Sequence, residues 1–343
     1  MLMVIFGAGA SYDCVSSRSV HEWLPERNQY RLPLARQLFD DRGIFNLWID
    51  KFPRCKPVIP RLRKASRDGS VEKELEKLRD EGLTYPDRYK QLAAVQFYLQ
   101  SMLWDCEKNL KSDPGWSVTN YMPLLDQIHS WRRVNKQACL VTFNYDTMLE
   151  DALALIGITI NSLTDYISND GYKIIKLHGS VNWAHRVMPP IKNISNLTTL
   201  DVANELIDRA PELDVHKEFR MTKEYPSSKL GEVALFPALA IPVETKQDYE
   251  CPPEHLEALR KCLPEVTKVL LIGWRATESL FLHLLSDNLR KEVHVMTVAG
   301  GRKEAEESNR RLEEAGIRGK FFTGAAGFSD FVVHREGDGF LRS

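Results

Sequence analysis

No two cysteines in this chain lie close enough to form a zinc knuckle. The six, Cys14, Cys55, Cys106, Cys139, Cys251 and Cys262, are scattered, and the closest two are 11 residues apart. A structural zinc site built from Cys pairs is therefore excluded. Six cysteines in 343 residues are also too sparse for the disulfide framework of a small secreted scaffold, so free thiols in a reducing compartment are expected. Nor does any stretch approach the roughly 18–20 apolar residues of a membrane span. The opening Met1–Phe6 is apolar but short, lacks a basic region and a cleavage site, and reads as a buried first strand. A soluble, cytoplasmic protein without membrane contact is expected. An excess of one charge is missing too: 46 Lys and Arg stand against 47 Asp and Glu, a net charge of −1, which disfavours direct nucleic-acid binding, although a local basic patch would escape that count. No internal repeat or low-complexity segment interrupts the chain.

What is present is an alternation of strands and helices. Apolar runs at Met3–Phe6, Ala138–Phe143, Lys173–Leu177, Lys268–Ile272, Val293–Val298 and Lys320–Thr323 are near-continuous rather than alternating, as in parallel strands buried on both faces. The pattern predicts an α/β fold, a Rossmann-like parallel sheet covered by helices. Residues 30–136 read as helix, with amphipathic candidates at Val71–Glu81, Asp87–Lys111 and Tyr121–Val134. In Asp87–Lys111 the residues Leu92, Val95, Leu99, Met102 and Leu103 share one face, and Asp113-Pro114-Gly115 is its breaker. This is too long for a simple crossover, so it is a large helical insertion after the first strand. The expected domains are a nucleotide-binding domain from 1–29 and 137–343, holding a loop-rich insertion or lid at 186–250, and a helical insertion subdomain at 30–136.

The chemistry-bearing motifs sit where these strands end. Gly7-Ala8-Gly9-Ala10-Ser11 follows the first strand, and such a turn lets backbone N–H groups approach a pyrophosphate. A third glycine of the dinucleotide fingerprint is missing, its place taken by Tyr12, so a plain tight turn is the alternative. Thr142-Phe143-Asn144-Tyr145-Asp146 leads from a strand into an amphipathic helix and would place a carboxamide and a carboxylate in the crevice beyond the strand. Asn144 as a helix cap is the plainer reading. Lys176-Leu177-His178-Gly179-Ser180 puts His178 at a strand end before a glycine, where a structural histidine is the alternative; His185, seven residues on, reads as a surface residue. Gly273 within Ile272-Gly273-Trp274-Arg275, and Gly324 within Thr323-Gly324-Ala325-Ala326-Gly327-Phe328-Ser329, would wrap an adenosine or simply turn the chain. In a parallel sheet all five strand ends lie along one edge, so the motifs converge.

Taken together, the Gly-Ala-Gly turn, the Thr-x-Asn-x-Asp segment and the Lys-Leu-His-Gly-Ser segment resemble the sirtuin-like family, in particular its bacterial NAD-hydrolysing branch found in anti-phage defence. The resemblance spans the sheet, about half the chain. It implies that Gly7, Ala8, Gly9 and Ser11 cradle the NAD+ pyrophosphate, with Gly273 and Gly324, both by a looser match, on the adenosine side. It also implies that Asn144 and Asp146 hold nicotinamide and its ribose, and that His178 is the catalytic base. The chain departs from the protein deacylases of the family in lacking the zinc pairs, and it reads Tyr30-Arg31-Leu32-Pro33-Leu34-Ala35 where they carry Gly-Ile-Pro-Asp-Phe-Arg.

The chemistry so implied is cleavage of the nicotinamide–ribose bond, with NAD+ as substrate and no metal. The leaving group is already cationic and the transition state oxocarbenium-like, so no general acid is required. Asp146 would anchor the carboxamide, Asn144 would orient the ribose or the attacking water, and His178 would be the general base, histidine being the side chain whose unperturbed pKa suits that work at neutral pH. The alternatives are a non-catalytic NAD or ADP-ribose sensor and an NAD-dependent deacylase. Unrestrained hydrolysis would deplete a central cofactor, so control by a homo-oligomer or partner is expected. By resemblance the partner is a HerA-type ATPase or a short Argonaute-type protein.

Overall fold

The computed structural model describes residues 1–14, 29–68, 70–112, 119–132, 136–188, 194–222, 228–243 and 248–342. The Asp113-Pro114-Gly115 breaker lies outside these residues. The chain divides into two units, one holding residues 1–23, 114–178 and 245–343, the other 24–113 and 179–244.

The first unit is built on six strands: β1 (Leu2–Phe6), β2 (Ala138–Thr142) and β3 (Tyr172–Lys176), then Lys268–Ile272, Val293–Ala299 and Gly319–Ala326. All five pairings among them are parallel. Counted along the chain, they lie side by side in the order 3-2-1-4-5-6, the arrangement of dinucleotide-binding Rossmann sheets. The strands β1 and β2 are almost wholly apolar and buried along their length because helices cover both faces, whereas the edge strand Gly319–Ala326 is half-exposed. On one face Met3, Ile5, Val141, Ile175 and Leu271 pack with Leu259, Phe281, Leu285 and Leu312 of the helices Pro253–Cys262, Ser279–Asn288 and Arg302–Glu314. On the other, Phe6 meets Tyr121 and Phe328, with ring centroids 5.1 and 6.5 Å away. The helix Tyr121–Arg132 thus belongs to this unit rather than to a helical subdomain.

The second unit combines helices with a four-stranded sheet. Its strands are β4 (Gly179–Met188), β5 (Asp214–Met221), β6 (Lys229–Leu230) and β7 (Val233–Leu239), all antiparallel, in the order β5-β4-β7-β6. Residues expected to form a loop-rich insertion therefore carry three strands and the helix Thr199–Asp208. The signal was weak because β5 is a half-exposed edge with a polar sequence, and Pro237 interrupts the apolar run of β7. Asp87–Lys111 forms a 25-residue helix, but it is not one-sided: the consecutive residues Phe97–Leu103 are all buried. Its Gln96 and Gln100 amides donate to the Leu239 and Trp183 carbonyls at 2.9 and 3.3 Å, and Phe97 meets Phe236 edge-on at 5.2 Å. His185, expected at the surface, is buried: its ring lies 4.4 Å from that of Phe219, and Nδ1 is 3.3 Å from the Glu218 carbonyl oxygen.

Candidate functional site

With the remaining sheet strands numbered β8 (Lys268–Ile272), β9 (Val293–Ala299) and β10 (Gly319–Ala326), the register places Val298, Ile272, Phe6, Thr142 and Lys176 in one row across β9, β8, β1, β2 and β3. The segments named from sequence leave the sheet at or just beyond this row. Strand order reverses between β1 and β8, and ligands of open α/β sheets bind beyond the carboxyl ends of the strands at such a point.

At that point the two chain turns touch through glycines. Gly9 N–H donates to the Gly273 carbonyl at 3.2 Å, and Gly7 N–H to that of Ile272 at 3.0 Å. A Cβ on Gly7 would stand 2.5 Å from the Gly273 oxygen, and one on Gly9 2.8 Å from Gly273 Cα; one on Gly273 would collide with the Ala10 nitrogen. Gly273 also has φ +63°, and Ala276 three residues on is left-handed at +51°. Glycine is thus required by the close approach of two backbones, whatever ligand is present. Ala8 and Ser11 both lie on the short helix Ala8–Asp13 that this turn opens.

Ser11 and Asn144 are brought into direct contact. Asn144 Nδ2 donates to Ser11 Oγ at 2.9 Å and to the Tyr121 hydroxyl at 3.2 Å, while those two oxygens are 2.9 Å apart. All three side chains are buried. Burial pushes the Tyr121 phenol well above its usual range, and the nearby Asp146 carboxylate adds to the effect. Asn144 does not cap the following helix. The N-cap position is Thr147, and Asp146 before it accepts from Met148 N–H through Oδ1 at 3.2 Å, so the carboxylate expected to face the crevice is engaged at the start of the helix Met148–Leu155.

His178 follows β3 and is buried, its ring edge-on to Phe143 at 4.9 Å and tilted against Tyr145 at 6.2 Å, the two neighbours of Asn144. Phe143 in turn stacks on Trp274 at 5.2 Å and meets Phe281 edge-on at 5.3 Å, and Trp274 Nε1 donates to Glu278. One aromatic cluster therefore links the exits of β2, β3 and β8. Gly179, at φ +78°, admits only glycine without strain.

Gly324 is placed differently. The last strand runs on to Ala326, so Gly324 is a strand residue packed near Val298, Phe331 and Glu336 rather than a turn. The turn is made by Gly327, at φ +99°, and the Ser329 N–H beyond it donates to Asp13 Oδ2 at 2.7 Å. Sequence reading also missed Tyr121, which is 110 residues from Ser11 and reaches it only through the fold. It missed Lys176 as well, although a lysine inside the run Ile174-Ile175-Lys176-Leu177 was a visible signal. Among the described residues, no group of three or more His, Cys, Asp or Glu is arranged to hold a metal ion, and all six cysteines are free and buried. No helix among them is long and apolar enough to cross a membrane.

The site thus belongs to a Rossmann-type sheet with its polar groups at the topological switch. Residues 138–220 match the family model described as a SIR2-like domain, a stretch that holds Asn144, Asp146 and His178. That stretch resembles a SIR2-like domain; Gly7–Ser11, Gly273 and Gly324 lie outside it. No curated protein matches the sequence. Similar solved structures include a Sir2 homologue–NAD complex, 11% identical, covering 99% of this chain and 88% of its own, with a TM-score of 0.41. A triply substituted Sir2 homologue in complex with 2′-O-acetyl ADP ribose is 14% identical, covering 98% and 92%, with a TM-score of 0.43. Sir2Tm bound to a propionylated peptide is 11% identical, covering 99% and 94%, with a TM-score of 0.40.

Proposed function

We propose that this protein is an NAD+ glycohydrolase, cleaving the nicotinamide–ribose bond to give nicotinamide and ADP-ribose. The observation that carries the reading is the buried Ser11–Tyr121–Asn144 cluster, which joins the glycine turn after β1 to the SIR2-like segment after β2. The pyrophosphate would lie against the Gly7–Gly9 turn beside Gly273, where the missing Cβ atoms keep the backbone accessible. Asn144 Nδ2 donates within the cluster, and its Oδ1 would accept a hydrogen bond from a ribose hydroxyl or from the attacking water. His178, at the neighbouring strand exit, would take the proton from that water. Water adds to the anomeric carbon as the bond to the ring nitrogen breaks, nicotinamide leaves neutral, and the proton passes to His178. Asp146, committed to the helix start, would act by shaping the segment and setting the local charge rather than by gripping the carboxamide.

In the cell such an activity would deplete NAD+ on activation, and its restraint is proposed to lie in oligomer formation or in a separately encoded partner. The test is incubation of the purified protein with NAD+ and quantification of nicotinamide and ADP-ribose. Turnover is expected to fall about a hundredfold or more in both Asn144→Ala and His178→Ala with the melting temperature little changed. Turnover that survives both substitutions would overturn the assignment. Acyl-ADP-ribose formed only with an acylated peptide would make the protein a deacylase. Tight NAD+ binding without products, in the presence of its cellular partners, would make it a sensor.

A further inference from the structure

We infer that Lys176 is a positioning residue, fixing the segment 143–147 and through it the carboxamide of Asn144; the inference rests on the role proposed above for Asn144. Lys176 ends β3 and lies opposite Thr142 in the register. Its side chain is wholly enclosed, with 0% exposure. An ammonium in that position must be paired, and its nitrogen donates to Glu150 Oε1 at 2.9 Å and to the backbone carbonyl of Asp146. The same Glu150 oxygen accepts from the Tyr166 hydroxyl at 2.8 Å, so the carboxylate is held from a second helix, Asp165–Ser168.

Stability alone is a poor account of this arrangement, because a well-packed apolar pair of similar volume commonly serves a core as well as a buried ion pair does. What an apolar pair cannot do is hold a carbonyl. Three of the bonds made by the segment bear on its shape: Asn144 N–H to Thr142 Oγ1 at 3.0 Å, Met148 N–H to Asp146 Oδ1 at 3.2 Å, and Lys176 to the Asp146 oxygen. The first two are local and would be kept in several loop conformations. The third ties the segment to β3, the strand that leads to His178, as Phe143 N–H on the Phe6 carbonyl at 3.0 Å ties its start to β1. Lys176 therefore couples the exits of β2 and β3, setting where Asn144 stands relative to the sheet edge.

The test compares two variants in the full-length protein. Lys176→Met/Glu150→Gln removes both charges together, so no buried ion is stranded, and it removes the bond to Asp146. Glu150→Gln alone keeps the ammonium on that carbonyl. In the double variant, amide hydrogen exchange at Asn144 and Met148 is expected to accelerate about tenfold or more, with protection in β1 and β8 unchanged. The kcat for NAD+ cleavage is expected to drop about tenfold while KM moves less than about threefold. Glu150→Gln strands the charge of the ammonium and should lower global stability, but relative to β1 and β8 its exchange at Asn144 and Met148, and its kcat, should stay within about threefold of wild type. Wild-type exchange at Asn144 and Met148 in a folded double variant would overturn the inference. So would a loosened segment in Glu150→Gln, which would assign the role to the carboxylate, and this arm decides even if the double variant does not fold. A wild-type protein that never cleaves NAD+ would count against the hydrolase reading alone, since the exchange measurement is independent of turnover.

Discussion

Two glycines with the same backbone preference separate a packing requirement from a conformational one. Gly273 and Gly157 are both left-handed, at +63° and +83°, but a Cβ on Gly157 meets nothing within 4 Å, whereas one on Gly273 runs into the backbone of Gly9 and Ala10. Gly157→Ala should cost only the left-handed penalty, about 1 kcal/mol. Gly273→Ala should cost at least about 2 kcal/mol more, because the turns after β1 and β8 must separate. Urea unfolding of the two variants reads the difference, and equal costs would refute the close approach as the reason for glycine. His255 offers a second reading at this scale. It is 1% exposed, with Nε2 2.7 Å from the Leu163 carbonyl and its ring 5.4 Å from that of Tyr166. Burial lowers its pKa below 6.5, with the Leu163 bond and the Glu254 charge pulling the other way. A lowered folded-state pKa means that the unfolded chain binds the proton more readily. The contribution of His255 is therefore complete above about pH 6.5 and is lost as the pH falls through that value towards the folded pKa. Melting temperatures from pH 8 to pH 5 should fall more steeply for wild type than for His255→Gln, and parallel curves would show that this histidine does not titrate against folding.

At the level of elements, the C-terminal helix Glu336–Arg342 is held by one lysine from the far end of a strand. Lys268 Nζ donates to the carbonyls of Phe340 at 2.6 Å and Leu341 at 3.3 Å, and its charge lies 5.3 Å from the Phe340 ring centroid. A cation on the last carbonyls of a helix satisfies orphan acceptors and opposes the helix dipole. Lys268→Met should cost roughly 1–2 kcal/mol and loosen this helix first. Amide exchange across 336–342 measures it, and unchanged exchange there would assign the anchoring to packing alone. Which elements were legible in the sequence follows from how each is buried. The strands β1, β2 and β8 are buried on both faces, so each is a nearly unbroken apolar run, and Lys268–Ile272 is found at the bounds its sequence predicts. The helices Val71–Glu81 and Asp87–Lys111 are likewise found at their expected bounds. The half-exposed β5 carries no comparable run, and it was lost among polar residues. In the site, Asn144, His178 and Ser11 stand out as polar groups where apolar strands stop. Tyr121 sits on a distant helix with an ordinary apolar pattern, and only the three-dimensional fold gives its hydroxyl a meaning.

Across the whole molecule, the chain alternates between two units: 1–23, 114–178 and 245–343 in one, 24–113 and 179–244 in the other. A long helical stretch after a first strand invites the idea of a self-sufficient inserted subdomain, but the packing of 24–113 argues otherwise. Seven consecutive buried residues, Phe97–Leu103, leave the middle of the helix Asp87–Lys111 with no face of its own for water. Part of that surface is covered by residues far along the chain. Phe236 meets Phe97, the Leu239 and Trp183 carbonyls take the Gln96 and Gln100 amides, and Asn204 Nδ2 donates to the Lys51 carbonyl at 3.2 Å. Expressed alone, 24–113 would expose these apolar side chains and leave its glutamine amides to water, whereas 24–113 joined through a flexible linker to 179–244 recovers every one of these contacts. The joined segments should unfold in a single sigmoidal transition with near-ultraviolet dichroism from their buried aromatic rings. The isolated 24–113 should show helical far-ultraviolet signal without a cooperative transition. A cooperative melt of 24–113 by itself would restore the inserted subdomain as an independent folding unit, and the sheet of β4 to β7 would then be an addition to it rather than half of its core.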